Sequence, residues 1–229
     1  MGYPANEITI LTNREFMLLL AAAGLDHWYG AELTETEYAD ADDLSFNRDM
    51  AALYQKRIID FDEEKAEIAE MYKPVFRVLR DAKVCIKVKS ALRPEYVKGS
   101  YFSGRDVVSV ERRTGSSDEI ELYIQSQDEW FEELKKDALY PVTADESDGL
   151  EPFDPELPEA AFDSSIEPEL VGAFELRSLP DGSLLCSAKL YQKGLFGITE
   201  YVKDEVSSVE KFSEAGFEAV LKGWIGGDK

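Results

Sequence analysis

The stretch IAEMYKPVFRVLRDAKVCIKVKS, residues 68–90, decides how we interpret the rest of the chain. Its first half places apolar side chains at steps of three and four, the spacing of one helix face, at Ile68, Tyr72, Val75, Phe76 and Leu79. Its second half alternates, with Val84, Ile86 and Val88 on one side and Cys85, Lys87 and Lys89 on the other. The stretch therefore predicts a helix that leads directly into a strand with one buried face.

Helices are predicted on the N-terminal side of this junction. Thr12-Asn13-Arg14-Glu15 has the pattern of a capping box, in which the threonine hydroxyl and the glutamate carboxylate accept hydrogen bonds from free amides at a helix start. We expect that helix to end at Gly24. A second helix is predicted over Leu44–Lys56, with Leu44, Met50, Leu53 and Tyr54 buried. A third is predicted from Asp62 as N-cap, and Pro74 predicts either a kink or the start of a separate helix.

Short strands are predicted on the C-terminal side. Residues 84–138 and 171–225 share one plan, in which strands are followed by a helix. In the second part, strands at Val171–Ser178, Leu184–Tyr191 and Leu195–Lys203 precede a helix from about Ser207 to Trp224. We therefore predict an α+β fold with N-terminal helices and an antiparallel sheet, in which two βββα units pack with approximate two-fold symmetry. The expected domains are residues 1–140, winged-helix-like helices plus the first unit, 141–170, an acidic proline-rich connector, and 171–229, the second unit.

The formal net charge of -22 over 229 residues limits the possible partners. Negative charge at this density repels phosphate, so we expect no nucleic-acid partner, and it disfavours an anionic membrane surface. No apolar run in the sequence approaches the ~20 residues of a membrane-spanning helix. The N-terminus lacks the basic and apolar regions of a secretory signal. The sequence predicts a soluble cytoplasmic protein in which Cys85 and Cys186 are buried, reduced thiols.

The segment Asp145–Glu169 concentrates the negative charge, with ten acidic residues, no basic residue and four prolines. Such a composition cannot bury enough apolar surface to form a packed core. We interpret the segment as a solvated connector. The alternative is an acidic docking segment for a basic partner.

Residue chemistry gives no support for catalysis. His27 is the only histidine, and no G-x-S-x-G element accompanies it. One histidine and two cysteines in strand patterns do not supply four zinc ligands, and neither phosphate-binding glycine motif is present. We expect no enzyme activity, no metal and no cofactor. A DNA-binding winged helix is disfavoured too, because the predicted third helix begins with the acidic run DEEKAEIAE, and the helix dipole explains the cations Arg77, Arg80 and Lys83 near its end.

Three segments in the first 125 residues share a pattern of apolar and polar positions: Leu11–Leu20 as an opening helix, Leu53–Asp60, and Tyr72–Ala82 leading into the strand at Val84. Together with the two-unit plan, this pattern resembles the EspG family, the cytosolic chaperones of type VII (ESX) secretion systems, and its distant relatives in Gram-positive bacteria. The resemblance covers roughly residues 8–125 and implies a pseudo-two-fold α/β fold around a central sheet. The chain departs from the family in being short and in lacking a second helical block that matches residues 12–82.

The resemblance implies that the protein binds a helical secretion substrate, keeps it soluble and directs it to the export machinery. Such a chaperone needs an apolar surface that covers the exposed helix tip of its partner. The sequence offers two candidate partner-binding segments, with Val97, Tyr101 and Phe102 in the first and Leu195 and Phe196 in the second. The alternative is that these side chains enter the core.

Two functions of other classes stay open. A regulatory or immunity-type adaptor would block a basic protein partner through the acidic segment, in a salt-sensitive manner. A small-molecule binder would hold its ligand in a pocket between the two sheet units.

Overall fold

The structure is a computed structural model, and it describes residues 8–22, 24–25, 29, 43–62, 65–91, 96–113, 115–116, 118–136, 170–191, 195–201 and 206–226. The predictions made for His27 and for the connector 141–170, apart from Leu170, lie outside these residues.

Both helices and strands are present in the described residues, which confirms the α+β class. The helices are α1 (Asn13–Ala22), α2 (Asp43–Gln55), α3 (Lys73–Asp81), α4 (Gln127–Lys136) and α5 (Glu214–Gly226), with a 3-10 helix at Glu70–Tyr72. The strands are β1 (Thr9–Thr12), β2 (Ile59–Asp62), β3 (Lys65–Ile68), β4 (Val84–Ser90), β5 (Val97–Ser103), β6 (Asp106–Arg112), β7 (Glu119–Ser126), β8 (Leu170–Ser178), β9 (Leu184–Tyr191), β10 (Leu195–Glu200) and β11 (Val206–Lys211).

The predicted capping box opens α1. The Thr12 amide donates to the Glu15 carboxylate at 2.7 Å, and the Glu15 amide donates to the Thr12 hydroxyl at 3.1 Å. At the other end of the helix, Gly24 has φ 73° and its amide donates to the Ala21 carbonyl at 3.1 Å. Glycine reaches this left-handed conformation without steric cost, so both ends of α1 follow from local sequence.

Nine strands form one antiparallel sheet in the order β1-β7-β6-β5-β4-β8-β9-β10-β11. Strand β4, from the stretch that opened the sequence interpretation, pairs with β5 on one side and with β8 on the other. The alternation predicted for β4 is confirmed, with Ile86 and Val88 in the core on one face, but the prediction of a single buried face is wrong, because Cys85 belongs to the core on the opposite face. The sheet therefore runs through both predicted sheet units, and β4 joins them.

Helices cover the two faces of the sheet differently. On one face, α1, α2 and α3 pack over β4–β7, and the buried cluster includes Leu19, Leu53, Leu79, Cys85 and Leu122. On the other face, α4 and α5 pack over strands from both units, and the buried cluster includes Phe102, Trp130, Phe174, Phe217 and Trp224. Both layers bury large apolar side chains, which is the main favourable term in folding.

Each unit has four strands and a helix, so the predicted βββα plan needs a correction. The last helix was predicted to begin at about Ser207, but Val206–Lys211 is strand β11 and pairs with β10. Helix α5 begins only at Glu214, where the Ser213 hydroxyl accepts a hydrogen bond from the Gly216 amide at 3.1 Å. Two valines three residues apart suit a helix face as well as an irregular strand, and pairing decided for the strand. Within each unit the strands follow chain order outward from the centre of the sheet, β4 to β7 on one side and β8 to β11 on the other. The two-fold symmetry of packing and the domain boundaries stay predictions.

The helix predicted from Asp62 is wrong. Ile59–Asp62 and Lys65–Ile68 pair as the antiparallel strands of a β-hairpin, with Ile59 opposite Ile68, and the Ala69 amide donates to the Ile58 carbonyl at 2.9 Å. Of the two alternatives for Pro74, the structure has the second, because Pro74 lies in the first turn of the separate helix α3. Proline is tolerated at this position since its missing amide has no partner in the first turn.

Candidate protein-binding surface

The first predicted partner-binding segment lies in the core. Val97, Tyr101 and Phe102 are 5%, 0% and 5% exposed. The Tyr101 hydroxyl donates to the Tyr29 carbonyl at 2.9 Å and accepts from the Tyr29 amide at 2.6 Å, so its polar group is satisfied inside the protein. These three side chains offer no surface to a partner in this fold, as the alternative interpretation held.

The second predicted segment lies in β10, far from the first. Leu195 and Phe196 pair with β9 on one side and with β11 on the other, and their side chains lie outside what the structure describes. Three strands separate β10 from β5 in the sheet. At about 4.8 Å per strand the two segments are about 19 Å apart. The fold therefore does not bring the two predicted segments together.

A buried polar cluster under α4 was missed by the sequence interpretation. The Lys98 side chain is 0% exposed and its ammonium donates to the Glu133 carboxylate at 2.5 Å. The same carboxylate accepts from the Tyr123 hydroxyl at 2.5 Å and from the Gln125 amide at 2.8 Å. Deeper in the core, the Trp130 indole N–H donates to the Ser100 hydroxyl at 2.8 Å. We call Lys98, Tyr123, Gln125 and Glu133 the α4 network.

In the α4 network, the surroundings keep the Glu133 carboxyl ionised and the Tyr123 phenol protonated. Burial raises the pKa of Glu133, but the Lys98 ammonium and the hydrogen bonds from Tyr123 and Gln125 outweigh burial, so that pKa lies below its ordinary value. Burial and the Glu133 carboxylate raise the pKa of Tyr123 far above its ordinary value, so the phenol keeps its proton and donates. Every charged group of the cluster has a partner inside it. The α4 network thus fastens α4 to the sheet.

An apolar surface lies on the opposite side of the sheet, where α2 ends and the β2–β3 hairpin begins. Tyr54, Phe61 and Met71 are 52%, 54% and 48% exposed, and the two aromatic rings lie 5.4 Å apart. We call these three residues the hairpin surface. Tyr54 was predicted to be buried, and that prediction is wrong. Phe61 shares a strand face with Ile59, which is only 3% exposed, so the hairpin extends beyond the elements that cover its base.

Ion pairs between α1 and α2 hold the helix that carries Tyr54. Arg14 donates to Asp49 at 2.9 Å, and Asp49 is only 6% exposed. Lys56 donates at 2.6 Å to Glu15, the buried carboxylate of the capping box. Because one carboxylate serves both the start of α1 and the end of α2, the position of Tyr54 is tied to the local structure of the N-terminus.

A cleft of about 540 Å³ runs beside the hairpin surface and is lined by Tyr54, Arg57, Asp60, Glu70 and Met71, among others. Arg57 lies two residues after the end of α2 with φ 56°, a left-handed conformation that costs a non-glycine residue roughly 1 kcal/mol. Its amide donates to the Tyr54 carbonyl at 2.9 Å, and the Ile58 amide donates to the Leu53 carbonyl at 3.0 Å. These two bonds form a Schellman motif, so the conformation of Arg57 ends the helix and turns the chain into β2.

A second cleft, of about 570 Å³, lies along α3. Its walls include the cations Lys73, Arg77 and Arg80, and Glu70 lines both clefts. The helix dipole was the sequence-based explanation for Arg77 and Arg80, but the structure gives them a shared cleft as well. This second cleft is called the basic cleft below.

Other kinds of site receive no support from the described residues. In these ranges, no group of three or more His, Cys, Asp and Glu side chains is arranged to hold a metal ion. Over the same ranges, no helix has both the length and the apolar character that crossing a bilayer requires. Cys85 and Cys186 form no disulfide and are buried, as predicted. Burial raises the pKa of the Cys85 thiol far above its ordinary value, which makes it a poor nucleophile.

Comparison with known proteins leaves the interpretation to the structure. No protein-family model matches the chain, and a search of curated proteins gave no match.

Proposed function

We propose that this protein is a non-enzymatic chaperone or adaptor in the cytoplasm, and that it binds a helical substrate of a type VII secretion system. The observation that carries the proposal is the hairpin surface, three large apolar side chains that are each about half exposed. Contiguous apolar surface of this kind is typical of protein interaction sites. The resemblance to the EspG family supports the class of partner.

The shape of the surface favours a helix as the bound element. A cleft between the end of a helix and a hairpin accepts the apolar side chains that an amphipathic helix presents at steps of three and four. Burying the exposed halves of Tyr54, Phe61 and Met71 would contribute roughly 3 kcal/mol before the cost of association. This contribution suits a partner that must later be released to an export machinery.

The test is a pull-down from native cell extract with the full chain as bait and identification of bound proteins by mass. Tyr54→Ser, Phe61→Ser and Met71→Ser are combined in one variant. The control is Ile8→Ser, which removes an apolar side chain that is 53% exposed outside the hairpin surface. The proposal predicts that small helical secretion substrates bind the wild type and the control but are lost from the triple variant. Substrates retained by the triple variant, or recovery of no helical protein, would contradict it.

A second candidate function is the regulatory or immunity-type adaptor that blocks a basic protein partner. The observation in its favour is the concentration of ten acidic residues without a basic one in Asp145–Glu169. In this alternative, deletion of that segment abolishes a salt-sensitive interaction, and the triple serine variant leaves the interaction intact. The two functions therefore differ in which change abolishes binding, the deletion of Asp145–Glu169 or the triple serine variant.

A further inference from the structure

The basic cleft gathers positive charge in a chain that is otherwise strongly acidic. Lys73, Arg77 and Arg80 follow one another at steps of four and three along α3, so they lie on one face of that helix. Among the described residues that line the cleft, Glu70 is the one acidic side chain. In the whole chain the balance is reversed, with 25 lysines and arginines against 47 acidic residues. The cleft is thus a local exception to the charge of the protein.

The cations of the cleft are available to a partner to different degrees. Among the described residues, Arg77 makes no ion pair or side-chain hydrogen bond. Arg80 pairs with Asp81 at 3.2 Å, but the two side chains are 64% and 48% exposed. Lys73 pairs with Glu70, and both are exposed. Exposed ion pairs contribute little to stability, so an incoming carboxylate can replace Asp81 or Glu70 at small cost.

The basic cleft continues the hairpin surface. Glu70 lines the basic cleft and also the cleft beside Tyr54 and Met71, and Met71 follows Glu70 in the chain. One bound segment can therefore place apolar side chains on the hairpin surface and its flank over α3. A flank that carries carboxylates would meet Arg77 and Arg80, whereas a basic flank would meet like charge.

We propose that the basic cleft binds carboxylate side chains of the partner that covers the hairpin surface, so that the partner segment is an amphipathic helix with acidic residues beside its apolar face. The inference rests on the proposed function for the apolar half of the contact. Charge complementarity supports this occupant, because the cleft offers two guanidinium groups that can bind carboxylates in a bidentate manner. Repulsion by the rest of the acidic protein would confine such a helix to this cleft.

The test uses the full chain and two synthetic helical peptides with the same apolar face of leucine and phenylalanine. One peptide carries glutamates along the flank of that face, and the other carries lysines at the same positions. Binding is measured by fluorescence anisotropy at low and at physiological salt. The chain variant is Arg77→Glu with Arg80→Glu. The matched control is Arg105→Glu with Lys136→Glu, which makes the same change in net charge at exposed positions on the β5–β6 turn and at the end of α4.

The proposal predicts that the glutamate peptide binds the wild type and the control at least about fivefold more tightly than it binds the cleft variant, with a smaller difference at higher salt. The lysine peptide should show the opposite preference and bind the cleft variant more tightly than the wild type. If the glutamate peptide prefers the wild type and the lysine peptide prefers the cleft variant, the peptide flank contacts Arg77 and Arg80 directly. Total charge does not explain such a result, because the control variant has the same net charge as the cleft variant.

Other outcomes overturn the inference and are distinguishable from failure of the proposed function. Equal binding of both peptides, lost only in the Tyr54, Phe61 and Met71 serine variant, removes the acidic preference and leaves the hairpin surface intact. Loss of the preference in the control variant places the contact elsewhere. If the glutamate peptide does not bind the wild type at about 1 mM, the proposed partner is excluded and the cleft has no such ligand. If binding emerges only after residues 145–169 are deleted, the proposed partner is excluded in favour of the chain's own acidic segment.

Discussion

The α4 network and the hairpin surface use side chains in opposite ways. Under α4, the charged Lys98 is 0% exposed and reaches a carboxylate at 2.5 Å. On the hairpin surface, Phe61 and Tyr54 are apolar rings that are more than half exposed. Burying a charge is costly unless it is paired, and exposing large apolar groups is unfavourable unless something covers them.

The two regions differ in whether the chain itself completes them. Each polar group of the α4 network has its partner on β5, β7 or α4, so the network has a structural role in the fold. No described residue covers the hairpin surface, whose side chains stay about half exposed. Unusual chemistry that is satisfied internally indicates a structural role, and unusual chemistry left open indicates a partner. Substitutions in each of the two regions test that distinction.

Replacing Glu133 by glutamine should destabilise the fold more than any other change considered. The substitution keeps the shape but leaves the Lys98 charge buried without a counter-charge, at a cost of about 3 kcal/mol. For a chain of this size the midpoint of thermal unfolding should fall by about 6–12 °C. The control is the double variant Lys98→Met with Glu133→Leu, which removes both charges and should recover most of the loss. A stable single variant would show that the network does not fasten α4.

Replacing Tyr54, Phe61 and Met71 by serine should weaken partner binding and leave the stability of the fold nearly unchanged. Partner affinity should fall by about 2 kcal/mol, roughly 30-fold, because the apolar contact is lost. The free energy of unfolding should change by less than about 1 kcal/mol, since exposed side chains contribute little to the core. Calorimetric titration with a substrate found by pull-down measures the first, and denaturant unfolding measures the second. Severe destabilisation would mean that the hairpin surface belongs to the fold after all.

Arg57→Gly should stabilise the protein by about 1 kcal/mol, because glycine adopts the left-handed conformation at φ 56° without strain. Arg57→Ala keeps the Cβ and should give no such gain, which makes it the matched control. If Arg57 serves the hairpin surface, the glycine variant should also bind the partner more weakly while it unfolds later. A glycine variant that is no more stable than the alanine variant would remove the argument from strain.

The smallest expected effect is a change in the pH dependence of stability. The pKa of Glu133 is lower in the fold than its ordinary value of 4.5, so its stabilisation is complete above that value and is lost as the pH falls through the lower folded pKa. The stability difference between wild type and Glu133→Gln should therefore narrow as the pH is lowered from about 7 to about 3. Chemical unfolding at several pH values measures it. A difference that stays constant over this range would show that Glu133 is not held ionised by Lys98.

Much of the fold could be predicted because it depends on neighbours in sequence. The capping box at Thr12, the alternation of β4 and the helix end at Gly24, which has φ 73°, each arise within a few residues. The segments interpreted wrongly had patterns that suit two structures. Residues 65–68 and 206–211 have helix-compatible spacing, and only pairing with β2 and with β10 makes them strands.

Composition and short-range periodicity were enough to predict the α+β class, helices α1 and α2, the buried thiols and the charge that disfavours nucleic acid. Only the tertiary structure decided which apolar residues are exposed. Tyr54 and Tyr101 are the same residue type, yet one is 52% exposed and the other 0%. Exposure depends on which distant elements cover a side chain, and strand pairing and helix packing set that cover. The candidate surface therefore became visible only once the hairpin, α2 and α3 had been placed together.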